Sequence, residues 1–316
     1  MEPRTSLPRR DDILAVVETL AGFLQGKERT IRLCVIALLA GGNLLLEDIP
    51  GLGKTTLALA LSRVLGLSFG RIQCTSDLLP SDITGLSIFN RDENRFTFIP
   101  GPLFNNLLLV DEINRAMPKT QSALLEAMEE RKVTVEGTTH DLPFPFLVVA
   151  TQNPAEQVGT HPLPESQLDR FLLCTGVGYP PEEIEKAIIR GGSIRDELKK
   201  LTPVISTQAL LEAQRSVRER VFLSEKVTDY LYRIVAATRR HPLILSGLST
   251  RAAINLAEAS RANAYLQGRD YVIPEDVKEL ALPVGGHRLI VASDREGFNK
   301  EQLLRSILKE IPVPLV

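Results

Sequence analysis

The sequence predicts an α/β domain on a mainly parallel sheet, followed by an all-helical domain. Three observations predict it. Short, fully apolar runs alternate with helical patterns through the first half of the chain. One of those runs passes through a glycine loop into a helix that opens on Lys54-Thr55. Beyond Pro181 only helical spacing remains. With 316 residues, 44% of them hydrophobic and 24% charged, the chain can build one large domain or two ordinary ones.

Taken in order, helical spacing covers 12–25 and 28–40, and apolar runs that suit buried strands follow at 43–47, 69–74, 107–111 and 146–151. Helices are predicted between them at 54–65 and 119–131. Leu86–Phe89 and Arg95–Phe98 flank the polar run Asn90–Asn94, which reads as a hairpin. Lys132–Val135 and Thr138–Leu142 flank Glu136-Gly137 as a second one. Phe89, Phe96 and Phe98 are expected to pack the first hairpin on the core. Pro181 with Glu182-Glu183 is a helix start, proline first and acids against the dipole. Helices are then predicted at 182–190, 207–221, 225–240, 250–267, 275–282 and 299–310. The boundary falls between Gly178 and Thr202, giving an α/β domain over 1–190 and a helical domain over 191–316.

Composition narrows the function classes. A net charge of −2 offers no general basic field for nucleic acid or an anionic membrane. Cys34, Cys74 and Cys174 are far apart, with no C-x-x-C, and are expected to be free thiols in a reducing compartment. The four histidines have no metal-ligand spacing. The first twelve residues lack an apolar stretch, and the longest apolar run, 33–40, is far short of a membrane span. A soluble, cytoplasmic protein is expected.

Pro50-Gly51-Leu52-Gly53-Lys54-Thr55-Thr56 carries the chemistry of a phosphate-binding loop. Glycines let backbone N–H groups approach a polyphosphate, and the helix N-terminus adds partial positive charge. Lys54 can reach β- and γ-phosphates, and the Thr55 hydroxyl can ligate Mg²⁺. Asp48 stands where the G-x-x-x-x-G-K-[ST] pattern has its first glycine. The apolar run 107–110 ends in Asp111-Glu112. Such a pair is ordinarily a solvated loop start, but downstream of a phosphate loop Asp111 suits Mg²⁺ and Glu112 suits polarisation of an attacking water. Asn153, just past the run 146–151, could bond the γ-phosphate or that water; a turn-initiating Asn-Pro is the alternative.

Asp-Ile-Pro-Gly-Leu-Gly-Lys-Thr (48–55), Val-Asp-Glu-Ile-Asn-Arg-Ala (110–116), Ala-Thr-Gln-Asn-Pro (150–154) and Leu-Pro-Glu-Ser-Gln-Leu-Asp-Arg-Phe (163–171) together resemble the MoxR family of AAA+ ATPases. The resemblance extends over about 20–285. It implies a P-loop core with two hairpin insertions and a helical lid. It also implies Lys54 and Thr55 as Walker A, Asp111 and Glu112 as Walker B, and Asn153 as sensor 1. Gly26-Lys27-Glu28 matches the segment on the adenine side. Arg170 matches an arginine finger supplied across a subunit interface; a helix-end arginine complementing the dipole is the alternative.

Arg251 has a reading of its own. Ser249 looks like an N-cap, which puts Arg251 in the first turn of a helix, where a cation opposes the dipole at about 0.3–1 kcal/mol. That fits a charge aimed at phosphate and matches the family's sensor 2, projecting from the lid onto the bound nucleotide. A salt bridge to Glu258 or Asp270 is the structural alternative.

The resemblance further implies a homo-oligomeric ring, a hexamer, with ATP and Mg²⁺ at each interface. Its output would be remodelling, assembly or metal-cofactor insertion in a protein client, with a von Willebrand factor A domain protein as partner. A nucleic-acid motor and a magnesium-chelatase-like ATPase subunit share the same core and are the alternatives.

Overall fold

The computed structural model describes residues 7–92, 94–154, 158–191, 195–292 and 299–314. Residues 1–6, which belong to the start that lacks an apolar stretch, and Glu93 of the polar run in the first hairpin lie outside them.

Helices α1 (Arg10–Phe23) and α2 (Glu28–Leu39) come first. Strand β1 (Asn43–Glu47) leads through α3 (Lys54–Val64) to β2 (Phe69–Gln73). A short α4 (Pro80–Thr84) precedes the hairpin β3 (Gly85–Asn90) and β4 (Arg95–Pro100). Then β5 (Leu107–Asp111), α5 (Pro118–Glu130) and the hairpin β6 (Lys132–Val135) and β7 (Thr138–Asp141) follow. The α/β part closes with β8 (Leu147–Gln152), α6 (Glu165–Leu168) and β9 (Phe171–Thr175).

The main sheet has the order β2-β5-β8-β1-β9, with every pairing parallel. Successive side chains leave opposite faces of a strand. Leu44, Leu46, Leu107 and Leu109 therefore join the core under α1, α2 and α3, while Leu45, Leu108 and Val110 meet Leu124, Leu125 and Met128 of α5. Both faces are covered, which is why these strands read as unbroken apolar runs. Parallel strands also bring the loops after β1, β5 and β8 to one edge, the edge where open α/β sheets bind ligands.

The second half holds α7 (Glu182–Gly191), α8 (Arg195–Leu198), α9 (Thr207–Arg220) and α10 (Glu225–Arg240). After these come α11 (Thr250–Leu266), α12 (Pro274–Gly285) and α13 (Lys300–Glu310). Ser206, Ser224 and Ser249 each accept a bond from the backbone N–H three residues on, fixing where α9, α10 and α11 start. These helices are not a detached body. The core under α1 and α2 continues into them through Leu210, Val227, Leu256 and Tyr265. Arg10 donates to the carbonyls of Tyr265 and Leu266 at 3.2 and 3.0 Å, tying α1 to the end of α11.

Three expectations change. The edge strand β9 escaped the pattern, because Phe171–Thr175 is a five-residue run that periodicity alone cannot assign. The helical half contains a small antiparallel pair, β10 (Ile244–Ser246) with β11 (Ile290–Val291). Of the three hairpin phenylalanines only Phe98 packs inward, stacking on His140 of β7 at 4.0 Å and meeting Phe104 edge-on. Phe89 and Phe96 pair with each other on the outside, and Phe96 is 71% exposed.

His287, after α12, turns Nε2 to the Phe171 carbonyl at 3.3 Å. Burial and the neighbouring Arg288 charge push the imidazole down to about 3 from 6.5. The unfolded chain therefore takes a proton that the folded chain refuses. The stability due to neutral His287 is complete above about pH 6.5 and is lost progressively as the pH falls toward about 3. Urea midpoints measured across that window are expected to fall, and His287→Gln is expected to flatten the fall.

Candidate functional site

The loop between β1 and α3 turns on Gly51 and Gly53, both left-handed with φ of +88° and +89°. Open space lies where a Cβ would stand at each, so the backbone itself forms the surface of the cradle. Helix α3 then begins with no side-chain cap and no acid in its first turn. Its first N–H groups and the positive end of its dipole face a cavity of about 320 Å³. Lys54, Thr55, Thr56, Asp111, Glu112 and Asn153 line the same cavity. The structure thus brings the predicted phosphate loop, strand-end carboxylates and amide together.

Lys54 Nζ donates to the Asp48 carbonyl at 2.6 Å. Burial pushes its ammonium down, against the carboxylates of Asp48, Asp111 and Glu112. Asp111 is buried at the end of β5, and its Oδ2 accepts from Arg71 Nε at 2.9 Å. Glu112 occupies the left-handed region with φ of +57°, costing roughly 1–3 kcal/mol for a residue with a side chain. The buried Thr151 holds that turn, accepting from the Glu112 N–H at 2.9 Å. The Glu112 carboxylate meets Arg115 Nε at 3.1 Å and accepts from Gln73 Nε2 at 3.2 Å.

Arg71, Gln73 and Thr151 escaped the sequence reading. The signal for the first two was available: polar residues two apart at the end of an otherwise apolar strand share one face. The β2–β5 register places Gln73 opposite Asp111.

A second cavity of about 900 Å³ adjoins the first and shares Pro50, Gly51, Gly53 and Thr56 with it. Leu52 and the apolar side chains of Phe23, Leu24, Val177 and Ile184 line it. Gly26 does not line it. Its φ is +77°, and a Cβ there would lie 2.3 Å from Pro181 Cδ, so its role is close backbone approach. Lys27 does line the cavity and is buried, donating to the carbonyls of Val177, at 3.2 Å, and Gly178. Asp48 Oδ2 accepts the N–H groups of the same two residues at 2.9 and 2.7 Å. The carboxylate in place of the first loop glycine therefore fastens the chain as it leaves the sheet for the helical half.

The structure does not bring Arg170 and Arg251 to this cavity. Both reach Glu129 in the last turn of α5 instead, Arg170 Nε at 3.0 Å from Oε2 and Arg251 Nη2 on Oε1. The ion-pair partner of Arg251 is thus Glu129, and not Glu258 or Asp270. The cause is the docking of the helical half on α1 and α2. Ser249, the α11 cap, donates to Asp169 at 3.0 Å, and Asp169 also takes Arg288 Nε at 2.8 Å. That anchors the start of α11 beside Arg170, at the beginning of β9.

Arg288 is buried and also donates to the carbonyls of Asp169 and Phe171. Arg288→Met is expected to strand the Asp169 charge and lower stability by about 3–5 kcal/mol, measured by urea denaturation.

Two family models match the chain: ATPase family associated with various cellular activities (AAA) over residues 43–173, and AAA lid domain over 236–310. The chain is 45% identical over 301 residues to the uncharacterized protein YeaC of Bacillus subtilis, covering 95% of this chain and 94% of that one. It is 40% identical over 306 residues to the chaperone MoxR1 of Mycobacterium tuberculosis, covering 93% and 80%. A crystal structure of an ATPase candidate from Cytophaga hutchinsonii superposes with a TM-score of 0.89 at 38% identity, covering 97% and 96%.

Proposed function

The chain belongs to the MoxR family of AAA+ ATPases, and from that premise we propose that it hydrolyses ATP to ADP and phosphate to drive a change in a partner protein. The observation that carries the reading is the meeting of Lys54, Thr55, Asp111, Glu112 and Asn153 around one cavity.

In this reading the glycine loop and Lys54 bind the β- and γ-phosphates, and the adjoining apolar cavity takes the adenine side. Thr55 and Asp111 offer the hard oxygen donors that suit Mg²⁺, which binds through one or two protein ligands and substrate phosphates. When bound, the ion supplies charge neutralisation on the phosphate oxygens. Glu112 accepts the proton of the attacking water, and Asn153 orients that water. The strained backbone of Glu112 and its bond to Thr151 aim the carboxylate into the cavity.

Arg170 and Arg251 complete the proposal as phosphate ligands delivered to a neighbouring subunit. Their joint position on Glu129, away from the cavity of their own chain, supports that reading. It implies a closed ring, proposed to be a hexamer. We take the hydrolytic core to span residues 1–190 and the lid residues 191–316. The work done is remodelling, assembly or metal-cofactor insertion in a client, with a von Willebrand factor A domain protein as partner; family resemblance alone supports that last step. Among the described residues no helix is long and apolar enough to cross a membrane, and a cytoplasmic place of action is part of the proposal.

Phosphate release measured with ATP and Mg²⁺ tests the hydrolytic core of this reading. Turnover is expected with Mg²⁺ and is expected to vanish with excess EDTA. Absence of turnover in the assembled protein, or turnover indifferent to EDTA, would overturn it.

A further inference from the structure

We propose that Glu129 is a positioning residue for the neighbouring subunit's active site, its carboxylate holding Arg170 and Arg251 together so that both guanidiniums reach one phosphate. The inference rests on the reading of those arginines as acting across a subunit interface, and it adds a residue that neither sequence motif nor cavity singles out.

The three side chains come from three places: the last turn of α5, the residue before β9 and the first turn of α11. Glu129 and Arg251 both stand at the wrong end of their own helices. A carboxylate at a helix C-terminus and a cation at a helix N-terminus each oppose the dipole. Helix stability therefore does not account for either residue. Nor does the ion pairing itself, because all three side chains are partly exposed and such pairs contribute little to folding.

What the arrangement does accomplish is convergence. Two cations share one anion, so the trio carries a net positive charge on an accessible surface. Each guanidinium has five N–H donors, and one carboxylate cannot engage them all. Donors remain on both arginines for a second anion placed against the pair, and the oxygens of a terminal phosphate suit such a fork. Without Glu129 the two like charges would repel and each long side chain would regain its rotamer freedom. The neighbour's phosphate would then meet two arginines that are not prearranged.

Mixed subunits test this. A Glu112→Gln chain keeps its arginines but cannot hydrolyse, while an Arg170→Ala chain keeps its hydrolytic site but donates no Arg170. An equimolar mixture is expected to recover turnover. Adding Glu129→Gln to the Glu112→Gln chain, which donates the arginines, is expected to cut the recovered turnover by about tenfold. Adding it instead to the Arg170→Ala chain, which donates the site, is expected to leave the recovery intact. Binding of a fluorescent ATP analogue by each variant confirms that its fold is retained. No recovery in the plain mixture would overturn the interface reading itself and this role with it. Recovery with no loss from Glu129→Gln, or with equal loss on either side, would overturn the role of Glu129 alone.

Discussion

Arg170→Ala is expected to lower ATP turnover by about 10³–10⁵-fold while each chain still binds nucleotide. The split arises from where Arg170 stands. It lies on Glu129 and not in the phosphate-loop cavity, so removing it takes nothing from the surface on which its own chain holds ATP. In the proposed mechanism, what is lost is a cation directed at charge that grows only as the phosphoryl group transfers, where a fixed positive group stabilises the transition state more than the bound substrate. Equilibrium titration with a fluorescent ATP analogue and steady-state phosphate release separate the two effects. A variant that turns over ATP at the native rate would remove Arg170 from the mechanism.

Glu112→Gln is expected to reduce turnover by about 10²–10⁴-fold, with ATP bound and retained. An amide preserves the shape of the side chain and its reach toward Gln73, but it cannot accept a proton from water. Thr151 bonds the backbone N–H of Glu112 and not its carboxylate, so the strained turn should persist in the variant. Single-turnover phosphate release reports the chemical step directly. The same variant, held with ATP and used as bait, should retain a client that the native protein releases.

Much of this site was legible because its parts are written locally. A strand, a glycine turn and a helix opening on Lys54-Thr55 are consecutive, and Asp111-Glu112 and Asn153 each end an apolar run. The residues that escaped are those brought in by pairing and packing. Arg71 and Gln73 reach Asp111 and Glu112 through the β2–β5 register, and Thr151 through the placement of β8 beside β5. Arg251 shows the limit most clearly. Its place in a first turn marked it as a charge not there for its helix, yet its partner depends on how α11 docks. That docking rests on Leu256 and Tyr265 meeting the core of α1 and α2, a contact between distant segments that no local pattern encodes.

Asp48 began as a departure from the loop pattern, and its two ends now have separate duties. Its carbonyl accepts Lys54, the residue proposed to bind phosphate, and its carboxylate holds the N–H groups of Val177 and Gly178. With Lys27 on the two carbonyls, side chains of the α/β part occupy all four polar groups of that two-residue stretch. The stretch is therefore fastened at every backbone polar group. Main chain so fastened transmits displacement without absorbing it, and the next three residues, Tyr179-Pro180-Pro181, are stiffened by two prolines. Lys54 and the start of α7 are thus joined through the carbonyl and the carboxylate of one residue.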